Sequence, residues 1–226
     1  MKKFSLFIFV LVFGMLLVGC DNKSKVYDLA SQAFNNVNEA YTITEEYGSD
    51  IYEGWRLGIY NNKEIIRDGN TYLAKELGLS KEELDNGMSS LLIKQLFGSD
   101  IEKLSGDKVD ELKDLLKKDT VYYKMFEDSL FSFVVNVVSE TYKVNGKAEL
   151  AQEKLDLAKK QMKEMSDQYS DYEHYSNLKG YFTTTNAFFD FCQNPTGSFE
   201  QVKETINKYK NEARDYKNDL AYIFED

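Results

Sequence analysis

Residues 147–172, KAELAQEKLDLAKKQMKEMSDQYSDY, decide the fold. The apolar positions Ala148, Ala151, Leu155, Ala158, Met162, Met165, Tyr169 and Tyr172 recur in steps of three and four. That spacing puts them on one face of an α-helix, with charged residues on the other face. The C-terminal stretch repeats the pattern with Phe199, Val202, Ile206, Tyr209, Ala213, Tyr216, Leu220 and Ile223. Between the two, Leu178, Phe182, Thr185, Phe189 and Cys192 form a third such face. These are coiled-coil-like seams, of the kind that pack long helices at shallow angles. Asn194-Pro195-Thr196-Gly197 reads as a turn, and Ser198-x-x-Gln201 as the capping box that opens the last helix. Ser170-x-x-Glu173 reads as a second box, restarting a helix there. Helices of about 20 to 28 residues span roughly 30–40 Å, and their short connections predict antiparallel neighbours in one bundle.

Upstream, Val26, Ala30, Ala33, Val37, Ala40, Thr44, Tyr47, Ile51 and Trp55 predict another long wall that reaches Tyr60. Gly54 and Gly58 share a face of it, and the expectation there is close approach of a neighbouring helix. Residues 121–144 are apolar on more than one face, from Val121 through Phe133, Val134 and Val138. They read as one central core helix ended by Asn145-Gly146. Residues 63–118 are broken by five glycines and read as a short-helix insertion. Within it, Ser80-x-x-Glu83 and Ser99-x-x-Glu102 are capping boxes, and Asp107 is a third helix start. The predicted class is therefore all-α: an antiparallel bundle of long helices, residues 26–226 as one domain, with the insertion around 63–118. A single proline in 226 residues fits long helices.

The first twenty residues have a different character. Lys2 and Lys3 precede an apolar run, Leu6 to Val18, interrupted only by Gly14, and Leu17-Val18-Gly19-Cys20 follows. The positive start and short apolar run form a secretory signal, too short for a spanning helix. The last four residues resemble the lipobox of bacterial lipoproteins, Leu-(Ala/Ser/Val)-(Gly/Ala)-Cys. In that family the cysteine is diacylated through its sulfur and becomes the new N-terminus after cleavage. The resemblance implies that residues 1–19 are removed and that Cys20 carries the acyl chains. Residues 20–25 would then form a tether, and the protein would be lipid-anchored at the extracytoplasmic face of the bacterial membrane. It covers residues 1–20 and implies nothing about activity.

Charge narrows the partners. The formal net charge is −10, and removal of Lys2 and Lys3 takes it to −12. A chain this acidic is repelled by nucleic acid, by anionic lipid headgroups and by anionic wall polymers, so its expected partner besides the membrane anchor is another envelope protein.

No nucleophile elbow, Walker-type loop or dinucleotide fingerprint occurs, and no cofactor is implied. The one histidine, His174, lies near Asp167, Asp171 and Glu173, but no second histidine or cysteine pair supports a metal site. Asp50 and Glu53 form a carboxylate pair of the kind that could do acid–base work; among 38 acidic residues the expectation is a solvated face. Cys192 follows Phe188, Phe189 and Phe191, with no cation nearby in sequence to activate it, and is expected to be packed and inert. The one tryptophan, Trp55, stands with Tyr52 and Tyr60 in a glycine-flanked aromatic cluster, an expected interface or pocket or else core at a helix crossing. Three functional expectations follow. The first is a non-catalytic, anchored bundle acting through protein contacts. The second is a ligand-binding lipoprotein with an aromatic pocket near Trp55. The third is a cell-envelope enzyme, which would need an enclosed polar cavity around His174 or several carboxylates.

Overall fold

The computed structural model describes residues 2–98 and 119–225, with side chains from 23 onward except at 97. The described residues form α-helices and turns, with no strand. The helices are α1 (Lys2–Tyr60), α2 (Asn62–Leu77), α3 (Lys81–Phe97), α4 (Asp119–Met125), α5 (Leu130–Val144), α6 (Lys147–Gln168), α7 (Tyr175–Gln193) and α8 (Phe199–Phe224). Among the described residues no helix is long and apolar enough to cross a membrane.

The organising element is α1. All nine of its predicted seam positions, Val26 to Trp55, are buried. The tether expected over residues 20–25 runs as part of this same helix. Around its N-terminal half pack α6, α7 and α8. Lys154 pairs with Glu39 and Lys147 with Glu46, while Asn36 donates to Gln161, so α6 runs antiparallel to α1. Tyr181 donates to Asn38 and the Cys192 thiol lies 3.9 Å from the Thr44 carbonyl, so α7 runs parallel to it. Lys210 donates to Ser49, Arg214 pairs with Glu45, and Phe224 packs on Phe34, so α8 returns antiparallel. The three seams that predicted this half are its core.

The second half is built on the rest of α1. There α5 takes the position that α6 holds lower down. Tyr142 stacks on Tyr47, and a β-carbon on Gly54 would come 3.2 Å from Val138. At Gly58 a β-carbon would overlap the Phe131 backbone, so only glycine permits this crossing. The order 47–142, 54–138, 58–131 makes α5 antiparallel to α1, as α6 is. The two helices are therefore consecutive segments along one wall. The antiparallel expectation holds for the three helices it was drawn from, α6, α7 and α8, and does not extend to α5 and α6. Gly146, at φ 81°, ends α5 as predicted but redirects the chain only slightly.

Residues 121–144 are not one helix. The chain breaks at Phe126 and passes through a 3-10 turn, Glu127–Ser129, before α5 begins. The cause is tertiary. Tyr123 is buried against α2, Phe126 folds back to stack on Phe133 at 4.3 Å, and Val121 and Met125 face outward. The core-helix expectation holds for α5, which is buried on nearly every side from Phe133 to Tyr142.

The described part of the 63–118 insertion consists of two short helices, α2 and α3. Gly69, at φ 55° and ψ −135°, kinks α2 where its backbone meets Asp119. Ser80 and Glu83 form the expected capping box at the start of α3, and Ser198 and Gln201 do the same for α8. Leu84, Met88, Leu92 and Ile93 of α3 add to the common core. The expected helix starts at Ser99-x-x-Glu102 and Asp107 lie outside the described residues. The Ser170 box does not form: α7 starts at Tyr175 with no side-chain cap. Residues 169–175 are spent in tight turns, Tyr172 N–H to Tyr169 C=O and Tyr175 N–H to Tyr172 C=O, which reverse the chain.

Candidate functional site

Trp55, Tyr52 and Tyr60 lie on the last turns of α1, where the helix meets α5 and the α7–α8 turn. Trp55 is buried and its ring lies over Phe131, with centroids 5.7 Å apart. It also lines a cavity of about 280 Å³ together with Phe131, Asn136 and Pro195. Tyr52 and Tyr60 do not share this cavity. Tyr52 stacks on Phe199 at 5.3 Å, and Tyr60 meets the same ring edge-on at 6.2 Å. The cluster therefore grips the α7–α8 turn from two sides, and both expectations for Trp55, core and pocket wall, describe it. At this end Tyr60 at 66%, Ile59 at 39% and Phe131 at 38% exposure are among the apolar side chains open to solvent.

Beneath the cluster lies a buried polar chain that sequence reasoning missed. The Tyr142 hydroxyl donates to Asp50 at 2.7 Å, and the Tyr47 and Tyr142 rings stack at 4.2 Å. The Tyr47 hydroxyl shares a 2.7 Å hydrogen bond with Ser139. Asp50 is not on a solvated face as expected. It sits three residues after Tyr47, at the margin of the α1 seam, and is 8% exposed. Burial pushes its carboxyl up to about 6, against the Tyr142 hydrogen bond, which lowers it. Burial also raises the Tyr142 and Tyr47 phenols, which stay protonated donors. Glu53 holds Arg56 in a fork and, with Asp50, Glu76 and Lys203, lines a half-open cavity between α1 and α8. Position within the seam was the available signal for Asp50, because a residue three on from a buried tyrosine shares its face.

A second polar cluster fastens α4 to α2. The Asn70 backbone N–H donates to Asp119 at 2.7 Å, its side-chain NH2 donates to Asp85 at 2.9 Å, and the Tyr123 hydroxyl donates to the Asn70 side-chain Oδ1. Lys81 closes the group on Asp85 at 2.7 Å. Each carboxylate already has a cation or backbone partner.

His174 sits at the α7 N-terminus, 3.4 Å from Glu173 and edge-on to Tyr172, beside an open groove. Among the described residues, no three histidines, cysteines or carboxylates converge to hold a metal ion. Cys192 is fully buried, and burial raises its thiol far above the reactive range. Cys20 lies in the part of α1 before residue 23, outside the described side chains.

No family model, no curated protein and no solved structure matches this chain. At the Trp55 end the chemistry is a rigid aromatic cluster, a small cavity and a cap of exposed apolar side chains.

Proposed function

We propose that this chain is a lipid-anchored lipoprotein of the bacterial cell envelope that acts by binding another envelope protein and carries out no catalysis. The carrying observation is the exposed group Ile59, Tyr60 and Phe131 at the end of α1 farthest from Cys20. From Lys23 to Tyr60 the helix rises roughly 55 Å at 1.5 Å per residue. With Cys20 acylated in the outer surface of the membrane, α1 holds that group well clear of the lipid. Large apolar and aromatic side chains set on a rigid base are what protein interfaces use as anchors. The buried titratable groups support a non-catalytic role, since Asp50, Glu140 and Asp119 are each engaged by other residues of the chain. The acidic surface disfavours nucleic acid as the partner.

Crosslinking in living cells followed by mass spectrometry tests the reading. A recurrent envelope protein, lost in Tyr60→Asp, is the expected result. Recovery of nothing above an unrelated lipoprotein contradicts it. Cys20→Ala should abolish acyl labelling, and labelling that persists overturns the anchor.

The cavity beside Trp55 favours a second reading, a small apolar ligand held between Trp55, Phe131 and Pro195. Trp55 is the one tryptophan, so such a ligand would shift its emission directly.

A further inference from the structure

The opposite end of the bundle carries a different aromatic surface. Lys23, Val26 and Tyr27 of α1, the 169–174 turn and Ile223 of α8 surround a groove of about 750 Å³. Tyr27, Tyr169 and Tyr172 give it three phenol rings. Tyr27 is held in place, since its hydroxyl donates to the Ile223 carbonyl at 3.1 Å and its ring packs on Phe224 at 5.6 Å. One residue before Ile223, Tyr222 is 93% exposed, the most open large hydrophobic side chain described. Tyrosine pairs an apolar ring with a wet hydroxyl, the combination that settles at the headgroup level of a bilayer.

We infer that this tyrosine-lined end is a membrane-contact surface, resting on the bilayer interface into which Cys20 is anchored. The inference rests on the lipid-anchor reading and adds to it a fixed orientation. Cys20 precedes Lys23 by three residues, so even a fully extended chain places the acyl chains within about 10 Å of the groove rim. A soluble partner at this face would have to displace lipid from beside the anchor. Charge defines which lipid surface fits. Asp171, Glu173 and Glu225 outnumber Lys23 and Lys25 at this end, so the contact is aromatic rather than electrostatic, and anionic headgroups oppose it.

The test uses the acylated full-length mature protein in vesicles of brominated phosphatidylcholine, which quenches tryptophan near the lipid. Wild-type emission comes from Trp55 alone, roughly 50 Å up the helix, and should be unaffected. Tyr222→Trp changes an exposed side chain and adds a second emitter at the groove. We expect about half or more of the added emission to be lost to bromine. In vesicles containing phosphatidylglycerol, quenching should weaken at low salt and recover as salt screens the repulsion. Unquenched added emission in protein that still floats with the vesicles overturns the contact surface and leaves the anchor intact. Stronger quenching at low salt with the anionic lipid overturns the aromatic basis of the contact. Protein that neither takes up acyl label nor floats overturns the anchor, and this inference falls with it.

Discussion

At Gly58 a single missing side chain sets how closely two helices approach. Alanine in a helix is worth up to about 1 kcal/mol over glycine, yet at Gly58 the added carbon meets the Phe131 backbone, which cannot rotate away. Gly58→Ala should therefore destabilise the protein by about 1–3 kcal/mol in urea unfolding. Gly54→Ala meets only Val138 and Val134 side chains and should be within about 1 kcal/mol of wild type. Equal effects at the two positions would contradict the crossing. Asp50 has an opposite character: it is tolerated by the fold rather than required for close packing. The folded state holds its proton more tightly than the unfolded chain, where it titrates near 3.8. Stability from this group is full below about pH 4 and is lost as pH rises through about 6. Asp50→Asn keeps an acceptor for Tyr142, so relative to wild type it should gain about 1–3 kcal/mol between about pH 4 and 7.5. A pH-independent difference between the two proteins would show that Asp50 is not buried in this way. The Trp55 seam was legible in the sequence because periodicity is local. The Asp50–Tyr142 bond was not, because its partners lie 92 residues apart.

Among the elements, α3 shows how the glycine-rich middle joins the bundle. The Glu140 carboxylate of α5 is buried and is held by Ser90 and Lys94 of α3. Beside it Gly87 lets α3 close directly onto Thr141. Lys94 is 54% exposed, so solvent screens its share of the pair. Lys94→Ala should cost about 1–2 kcal/mol, chiefly by leaving Glu140 under-partnered. Hydrogen exchange should then show α3 losing protection before α6, α7 and α8, and uniform loss would contradict a separately docked α3. Helix starts at Ser80 and Ser198 were legible because a capping box is complete within four residues. The failed box at Ser170 and the break at Phe126 were not. In both places the chain obeys contacts made far away: Tyr123 with α2, Phe126 with Phe133, and the reversal that brings α7 back along α1.

On the scale of the whole molecule, one helix carries two arrangements end to end. The lower half of α1 is enclosed by α6, α7 and α8, and the upper half by α5, α2 and the start of α8, with α3 packed on α5 rather than on α1. Because α5 and α6 follow one another along the same wall, the two halves share a continuous spine. Seam periodicity made the lower half readable, while the upper half depends on glycine contacts and buried polar pairs that have no period. The spine separates a tyrosine-lined end beside Cys20 from the apolar cap at Ile59, Tyr60 and Phe131, and the proposed function rests on that separation. It is tested most directly by placing a photo-crosslinking amino acid at position 60 in the anchored protein and, as a control, at the exposed position 159 midway along α6. Irradiation of intact cells should give one discrete crosslinked envelope protein from position 60 and none in common from position 159. No adduct from position 60, or the same smear of products from both, would contradict an interface at that end.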